Sequence, residues 1–407
     1  MTNDFSISAR ESATDVLFVV GSFDVGGAER HLTLIASALA RRGWRVTIYS
    51  LSGRGPALEL FGTDDVGIIC PPLERGSGRE FVLRRLLRIA VVVVHLLKVM
   101  LQHRSAAVHF FLPSSYLIGA PLAIIAGIKR RVMSRRSLNR YQSKNMLIGP
   151  LERLLHPFMT AILGNSRSVM RELEAEGVHA GRLGLIYNGV DTSIFAASGG
   201  REQTRRALGI QDSTLVLAIV ANLIPYKGHL DLVEALGQSA REMPDDWKLL
   251  IVGRDDGAGA AIKTLAEMRG LADKLLFVGP RKDVSELLAA SDIGLLASHE
   301  EGFSNAVIEG MYARLPMIVT DVGGNGEAVI DGENGLVVPP HDPSAFGRAI
   351  VRLAADPALR AKYGANGRRR VETHFTLDSC VGRYEALYRG LQASKIPRDI
   401  VEIQYRT

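Results

Sequence analysis

Short apolar runs recur along the chain, each bounded by polar or glycine-containing stretches, and they alternate with segments whose apolar residues fall three and four apart. In the first half "DVLFVV", "RVTIYSL", "AAVHFFLP", "RRVMS" and "AILGNS" read as buried strands, and "GLIYNGVD" ends in a turn signal. Glu29 to Arg41 reads as a helix closed by Gly43. After Gly199-Gly200, which reads as a linker, a second series begins: "TLVLAIVANL", "KLLIVGR", "KLLFVGP", "IGLLAS" and "PMIVTD". Helices beginning near His229, Ala258, Val284 and Ser304 separate those strands. "HDPSAF" opens another, with Asp342 as cap and Pro343 at its first position. The last helix keeps Leu377, Val381, Tyr384, Tyr388 and Leu391 on one face. Strands alternating with helices predict parallel sheets covered on both faces. The expected fold class is therefore α/β, with two Rossmann-like domains, residues 1–190 and 191–373, facing across a cleft.

One stretch resists a single reading. "REFVLRRLLRIAVVVVHLLKVMLQHR" stands where the alternation requires a helix, despite its valines. Arg84, Arg88, Val91, His95, Lys98 and Gln102 then share a stripe beside a broad apolar remainder. A largely buried helix with a narrow wet stripe fits this pattern, and so does a surface helix resting on an anionic membrane. Its apolar centre, Ile89 to Leu101, is broken by His95 and Lys98 and falls short of the ~20 residues a spanning helix needs.

Charge sharpens the second possibility. Residues 1–190 carry 24 Lys and Arg against 14 Asp and Glu, whereas the remainder carries 25 against 29. Between Arg75 and Arg153 there are 15 basic residues and two acidic ones. The first half thus presents a positive field, expected to meet an anionic membrane surface or glycolipid. Nucleic acid is not expected, because no recognition motif or aromatic platform accompanies the charge. Two distant cysteines, Cys70 and Cys380, give neither a disulfide framework nor metal-ligand spacing. "MTNDFSISARESATD" lacks a basic n-region and an apolar core, so no signal peptide is expected. The expected location is cytoplasmic, peripheral on the inner face of the membrane if the basic half docks there.

The candidate chemistry lies in "HEEGFSNAVIEGM". "DIGLLAS" before it reads as a strand, and a helix follows from Asn305 with Ser304 at its cap. A strand, a glycine turn and a helix offer free backbone N–H groups to an anion. Glu301 and Glu309 flank that mouth. A carboxylate only accepts hydrogen bonds, which suits the neighbouring hydroxyls of a ribose or hexose. The plainer alternative is a Glu301 that complements the helix dipole and a Glu309 that faces solvent. "GSFDVGGAER" lacks the G-x-G-x-x-G spacing, so a nicotinamide dinucleotide is not indicated.

"VANLIPYKG", "EGFSNAVIE", "DVGGNGEAV" and "IYNGVD" resemble the motifs of the retaining glycosyltransferases of family 4, and the resemblance runs from "GGAER" to the last helix. It implies the two-domain GT-B fold, with an acceptor held by the first domain, a nucleotide-sugar by the second, and residues 374–407 returning as a helix to the first. By the same resemblance Glu301 contacts donor-sugar hydroxyls. Gly302, Phe303, Ser304 and Asn305 surround the sugar and diphosphate, and Glu309 takes the ribose hydroxyls. Lys227 pairs with the diphosphate, Gly27 completes the phosphate site, and Gly279 and Pro280 lie at the base. No Asp-x-Asp occurs in the chain, so neither metal nor cofactor is expected, and Lys227 with the helix dipole stabilises the leaving group.

Two departures stand out. Asn222 occupies a donor-site position where the family usually has Arg, leaving Arg254 or Arg281 to supply the charge. Arg135 and Arg136 follow the strand after which relatives often place a histidine, and His109 is a weaker substitute on the acceptor side. The expected function is retaining transfer of a hexose-type sugar from a UDP- or GDP-sugar to a glycan or lipid-linked acceptor, in bacterial-type cell-surface polysaccharide or glycolipid assembly. A nucleotide-sugar epimerase on the same fold and a non-catalytic nucleotide-sugar-binding protein are the alternatives.

Overall fold

The computed structural model describes residues 15–23, 26–56, 58, 66–73, 82–104, 106–144, 146–196 and 200–393. The stretch before Asp15, the start of the basic segment from Arg75 to Phe81, Gly199 and the tail after 393 lie outside them. Two compact units emerge. The first comprises Met1–Asn165, Val169–Ile186 and Cys380–Thr407, and the second Ser166–Ser168 and Tyr187–Ser379.

In the first unit the strands are β1 (Asp15–Val20), β2 (Arg45–Ser50), β3 (Val66–Ile69), β4 (Ala107–Phe111), β5 (Arg131–Arg135), β6 (Ala161–Gly164) and β7 (Leu183–Leu185). They form a parallel sheet in the order β3-β2-β1-β4-β5-β6-β7. The second unit has β8 (Leu215–Val220), β9 (Trp247–Val252), β10 (Leu275–Gly279), β11 (Ile293–Leu296), β12 (Met317–Thr320) and β13 (Gly335–Val338). Their order is β10-β9-β8-β11-β12-β13, again parallel throughout. In both sheets the chain first winds one way and then the other. The reversal falls between β1 and β4 and between β8 and β11, and such switch points open crevices at the carboxyl ends of the strands.

The apolar runs are continuous because both faces of each strand are covered. Along β8, Leu215, Leu217 and Ile219 join Leu249, Ile251 and Ile318 in one core. The alternate residues Val216 and Ala218 join Leu250, Leu296 and Val319 in the other. The final helix, Leu377–Gln392, buries Tyr384 and Tyr388 in the first unit, where Tyr388 lies edge-on to Phe18.

Helix Val82–Gln102 resolves the ambiguous stretch in an unexpected way. It buries Val92, Leu96, Val99 and Met100, while Leu87, Val94 and Leu101 on the opposite side stay exposed. Arg84, Arg85 and Lys98 are exposed as well, and His95 turns inward to the Tyr49 hydroxyl at 3.1 Å. The helix thus carries two apolar faces and buries one of them. Among the described residues no helix is long and apolar enough to cross a membrane.

Candidate functional site

The second unit's switch point places the predicted residues. Strand β8 leads into a 3-10 turn, Pro225–Lys227, and the chain leaving β11 passes through Ser298 to Glu301. Since β8 and β11 are neighbours, both exits reach the same edge of the sheet. There the Lys227 ammonium lies 2.7 Å from Glu301 Oε1, and the Ser298 hydroxyl donates to that oxygen at 2.7 Å. Burial lowers the Lys227 pKa, but the adjoining Glu301 carboxylate more than reverses this and holds it above the ordinary range. Nζ also stands 5.3 Å from the Tyr226 ring centroid, a cation–π distance. An ammonium has three N–H donors, so a lysine bonded once to Glu301 keeps others for an incoming oxygen. Ser298 was not legible in the sequence as part of this site, since a lone serine after an apolar run carries no distinguishing signal.

Two glycines fix the approach of these turns. Gly228, φ +70°, ends the Lys227 turn, and a Cβ there would lie 1.9 Å from the Ala297 carbonyl oxygen. Gly323, φ +56°, presses on the Glu301 turn, where a Cβ would lie 1.9 Å from the Glu301 carbonyl oxygen. Neither backbone conformation nor space admits a side chain. The "DVGGNGEAV" motif therefore buttresses the turn, and Gly324 N donates to Gly302 O at 2.8 Å.

"IYNGVD" supports the turn from another direction. The Asn188 amide donates to Phe303 O at 2.9 Å and to Asn305 Oδ1 at 2.6 Å. Phe303 is buried, with Tyr187 and Phe375 at ring separations of 5.0 and 5.2 Å. It is thus an anchor, and its ring meets other rings of the core. Ser304 caps helix Asn305–Tyr312 with extended backbone, though its side chain makes no capping bond. Glu309 lies one turn into that helix and is buried to 8% exposure, which excludes the plain solvent-facing reading.

The neighbouring strand ends complete this edge. Gly279, φ +68°, closes β10, with Pro280 exposed after it. After β9 the Arg254 guanidinium pairs with Asp256 at 2.6 Å, and Asp256 accepts from the Asn222 amide at 3.1 Å. Asn222 Oδ1 accepts the Arg254 backbone N–H at 3.2 Å. A cation therefore stands beside Asn222 through a shared carboxylate. Arg281 pairs instead with Asp283.

In the first unit Gly27 opens helix Gly27–Arg41, two residues before the start expected at Glu29, because extended Gly26 serves as the cap. The acceptor-side expectation is corrected for two residues. Arg135 is fully buried and bonds Glu152 at 2.8 Å and Glu176 at 2.7 Å. His109 is fully buried too, with Nδ1 2.6 Å from Tyr388 Oη and Nε2 2.7 Å from Ser134 Oγ. Both of its ring nitrogens are engaged, so it has none left for an acceptor. Arg136 is nearly buried, 2.7 Å from His31 Nδ1 and over the Phe111 ring.

These buried imidazoles have a consequence for stability. Burial, with a smaller effect from Arg136, pushes both His31 and His109 well below their ordinary value of 6.5. Below that pH the unfolded chain binds protons that the folded chain refuses. The stabilising contribution is therefore complete above 6.5 and is lost as the pH falls. Both groups act in the same direction, so stability should fall progressively between pH 6 and 5. Urea titrations at pH 7, 6 and 5 should show a falling midpoint for the first unit, whereas a midpoint constant over that range contradicts the assignment.

Comparison with known proteins agrees with this architecture. Residues 25–194 match the family described as Glycosyltransferase Family 4, and residues 200–370 the one described as Glycosyl transferases group 1. The D-inositol 3-phosphate glycosyltransferase of Corynebacterium diphtheriae is 26% identical over 391 residues, covering 90% of both chains. The N-acetyl-alpha-D-glucosaminyl L-malate synthase of Bacillus anthracis is 30% identical over 203 residues, about half of each chain. Among solved structures, Anabaena HepE in complex with UDP and glucose superposes with a TM-score of 0.79 at 20% identity, over 93% of this chain and all of that one. The lipopolysaccharide-biosynthesis glycosyltransferase WaaG gives 0.68 at 22% identity, over 92% of this chain and all of that one. With two parallel α/β units and both halves matched, the chain belongs to the family 4 glycosyltransferases and is an enzyme of the GT-B fold.

Proposed function

We propose that this enzyme transfers a hexose-type sugar, with retention, from a UDP- or GDP-sugar to a glycan or lipid-linked acceptor, without a catalytic metal. The observation that carries the reading is the Lys227–Glu301 pair, 2.7 Å apart at the switch point beside a buried Glu309. Glu301 uses Oε1 for Lys227 and Ser298, and Oε2 has no protein partner among the described residues. Oε2 accepts a donor-sugar hydroxyl. Lys227 keeps its bond to Glu301 and directs its other protons at the diphosphate, which gains charge as the glycosidic bond breaks. The N–H groups at the start of helix Asn305–Tyr312 face the same charge. Glu309 accepts the ribose hydroxyls, and Arg254 supplies the charge that Asn222 lacks. With retention, the acceptor hydroxyl attacks from the face the diphosphate leaves, and a departing phosphate oxygen takes its proton.

A thermal-shift series over UDP-, GDP-, ADP- and CMP-sugars tests the donor class, because bound donor stabilises the fold by mass action. One UDP- or GDP-sugar should raise the melting temperature. A response to none of the four contradicts the reading.

The outward face of helix Val82–Gln102 docks on anionic lipid. Leu87, Val94 and Leu101 are exposed beside Lys98, with exposed Arg84 at the helix start, and the adjoining helix Pro113–Ile125 adds exposed Ile118 and Ile125. Each Lys or Arg near such a surface contributes about 1 kcal/mol. Replacing Arg84 and Lys98 by Gln should therefore weaken vesicle binding about thirtyfold, leaving donor affinity unchanged. Co-sedimentation with vesicles of rising anionic content, at low and high salt, reads this. Wild-type binding insensitive to lipid charge excludes it.

A further inference from the structure

A cluster in the second unit has no part in the donor site. Asp231 sits in the first turn of helix His229–Ser239, His299 follows β11, and His341 precedes helix Pro343–Ala355. His299 Nε2 lies 2.7 Å and His341 Nδ1 3.7 Å from the same atom, Asp231 Oδ2. The two imidazole rings lie with centroids 3.8 Å apart, tilted by 39°. One potential ligand atom from each residue falls within 4.8 Å of the others.

The backbone adds an independent observation. His341 has φ +60°, a left-handed conformation that suits glycine. A side chain is therefore held at a strained position, and it lies directly against a second histidine. Such strain persists where the surroundings over-determine it, and it concentrates at ligand sites.

We propose that Asp231, His299 and His341 form a binding site for a transition-metal dication of the Zn2+ class. Two imidazoles and one carboxylate make a nitrogen-rich set that suits zinc, cobalt or nickel and does not suit magnesium or calcium. The ion replaces the proton that His299 and Asp231 now share, and three protein ligands leave one position for water. It ties together three segments: the helix after the Lys227 turn, the end of β11, and the connection from β13. His299 N also donates to Tyr226 O at 2.7 Å, one residue from Lys227. None of the three ligands is assigned to the donor, so the site stands independently of the transfer reaction.

The test is calorimetric titration of the metal-stripped, full-length protein with ZnCl2, beside melting curves at rising ZnCl2. Wild type should take up one equivalent with a rise in melting temperature that saturates, and MgCl2 should give neither. His341→Gly should weaken Zn2+ binding by about a hundredfold or more, and Asp231→Asn by at least about tenfold. Glycine relaxes the left-handed backbone, so in chelator His341→Gly should melt at or above the wild-type temperature, which separates lost binding from misfolding. Co2+ in place of Zn2+ should give the visible bands of a tetrahedral site in wild type alone. Absence of saturable Zn2+ uptake by wild type, or undiminished uptake by His341→Gly, overturns the proposal.

Discussion

Lys227→Ala should lower kcat by about 100- to 1,000-fold and change donor affinity by less than about tenfold. The ratio follows from when the charge develops. A ground-state diphosphate already has its negative charge solvated, whereas bond cleavage adds charge at the bridging oxygen, where a fixed cation acts most. Loss of one such preorganised electrostatic partner typically costs about 2.7–4 kcal/mol of transition-state stabilisation. The structure adds a second consequence: without Lys227, Glu301 Oε1 keeps the Ser298 hydroxyl as its only remaining described partner. Turnover of wild type in EDTA should equal that in Mg2+, because the proposed mechanism places the stabilising charge on the protein. Equal losses in kcat and in donor affinity for Lys227→Ala would assign the lysine to ground-state binding. Activity abolished by EDTA and restored by Mg2+ would assign the role to a metal.

Glu309→Ala should weaken donor binding by roughly two to four orders of magnitude, since hydrogen bonds to a charged acceptor contribute about 1.5–3 kcal/mol each and the proposed role gives Glu309 two ribose hydroxyls. The residue is nine-tenths buried on a short helix whose other buried members include Val307, Ile308, Met311 and Tyr312 of the core. Glu309→Gln retains the shape and one acceptor, so it should fall between wild type and alanine. Calorimetry with the donor chosen by the thermal-shift series measures both. Unchanged affinity in Glu309→Ala, in protein that melts like wild type, removes this residue from the ribose site.

Most of the second unit could be read from its sequence because its strands are buried on both faces and its helices carry local signals. Asp342 illustrates this, accepting from Ala345 N at 2.8 Å as an N-cap with Pro343 behind it. Strand β13 carries no such signal: "GLVV" is short and lies between a polar turn and two prolines. Helix Pro357–His374 is hidden in the sequence for a different reason. It meets the core through Tyr363, Gly364, Gly367 and Val371, and two glycines leave little apolar periodicity to see.

The site divides along similar lines. Lys227 and Glu301 lie 74 residues apart, and only the resemblance placed them in one site before the sheet order brought β8 and β11 together. Arg135, Glu152 and Glu176 could not be seen as a buried network, because each is an ordinary surface residue type until three elements bring them together. The outward leucines of helix Val82–Gln102 were hidden by abundance, since a helix apolar on two sides does not declare which side meets the sheet.

Glu301 and Glu309 are held to read two different sugars of one donor, and comparing bare nucleotide with nucleotide-sugar isolates the two tasks. Calorimetry should measure the affinity of wild type, Glu301→Ala and Glu309→Ala for the nucleoside diphosphate and for its sugar-linked form. The expected result is that Glu309→Ala weakens both ligands alike, whereas Glu301→Ala weakens the nucleotide-sugar and leaves the bare diphosphate bound as well or better, its Lys227 partner now released. Equal weakening of both ligands by Glu301→Ala, or no weakening of either by Glu309→Ala, would contradict it.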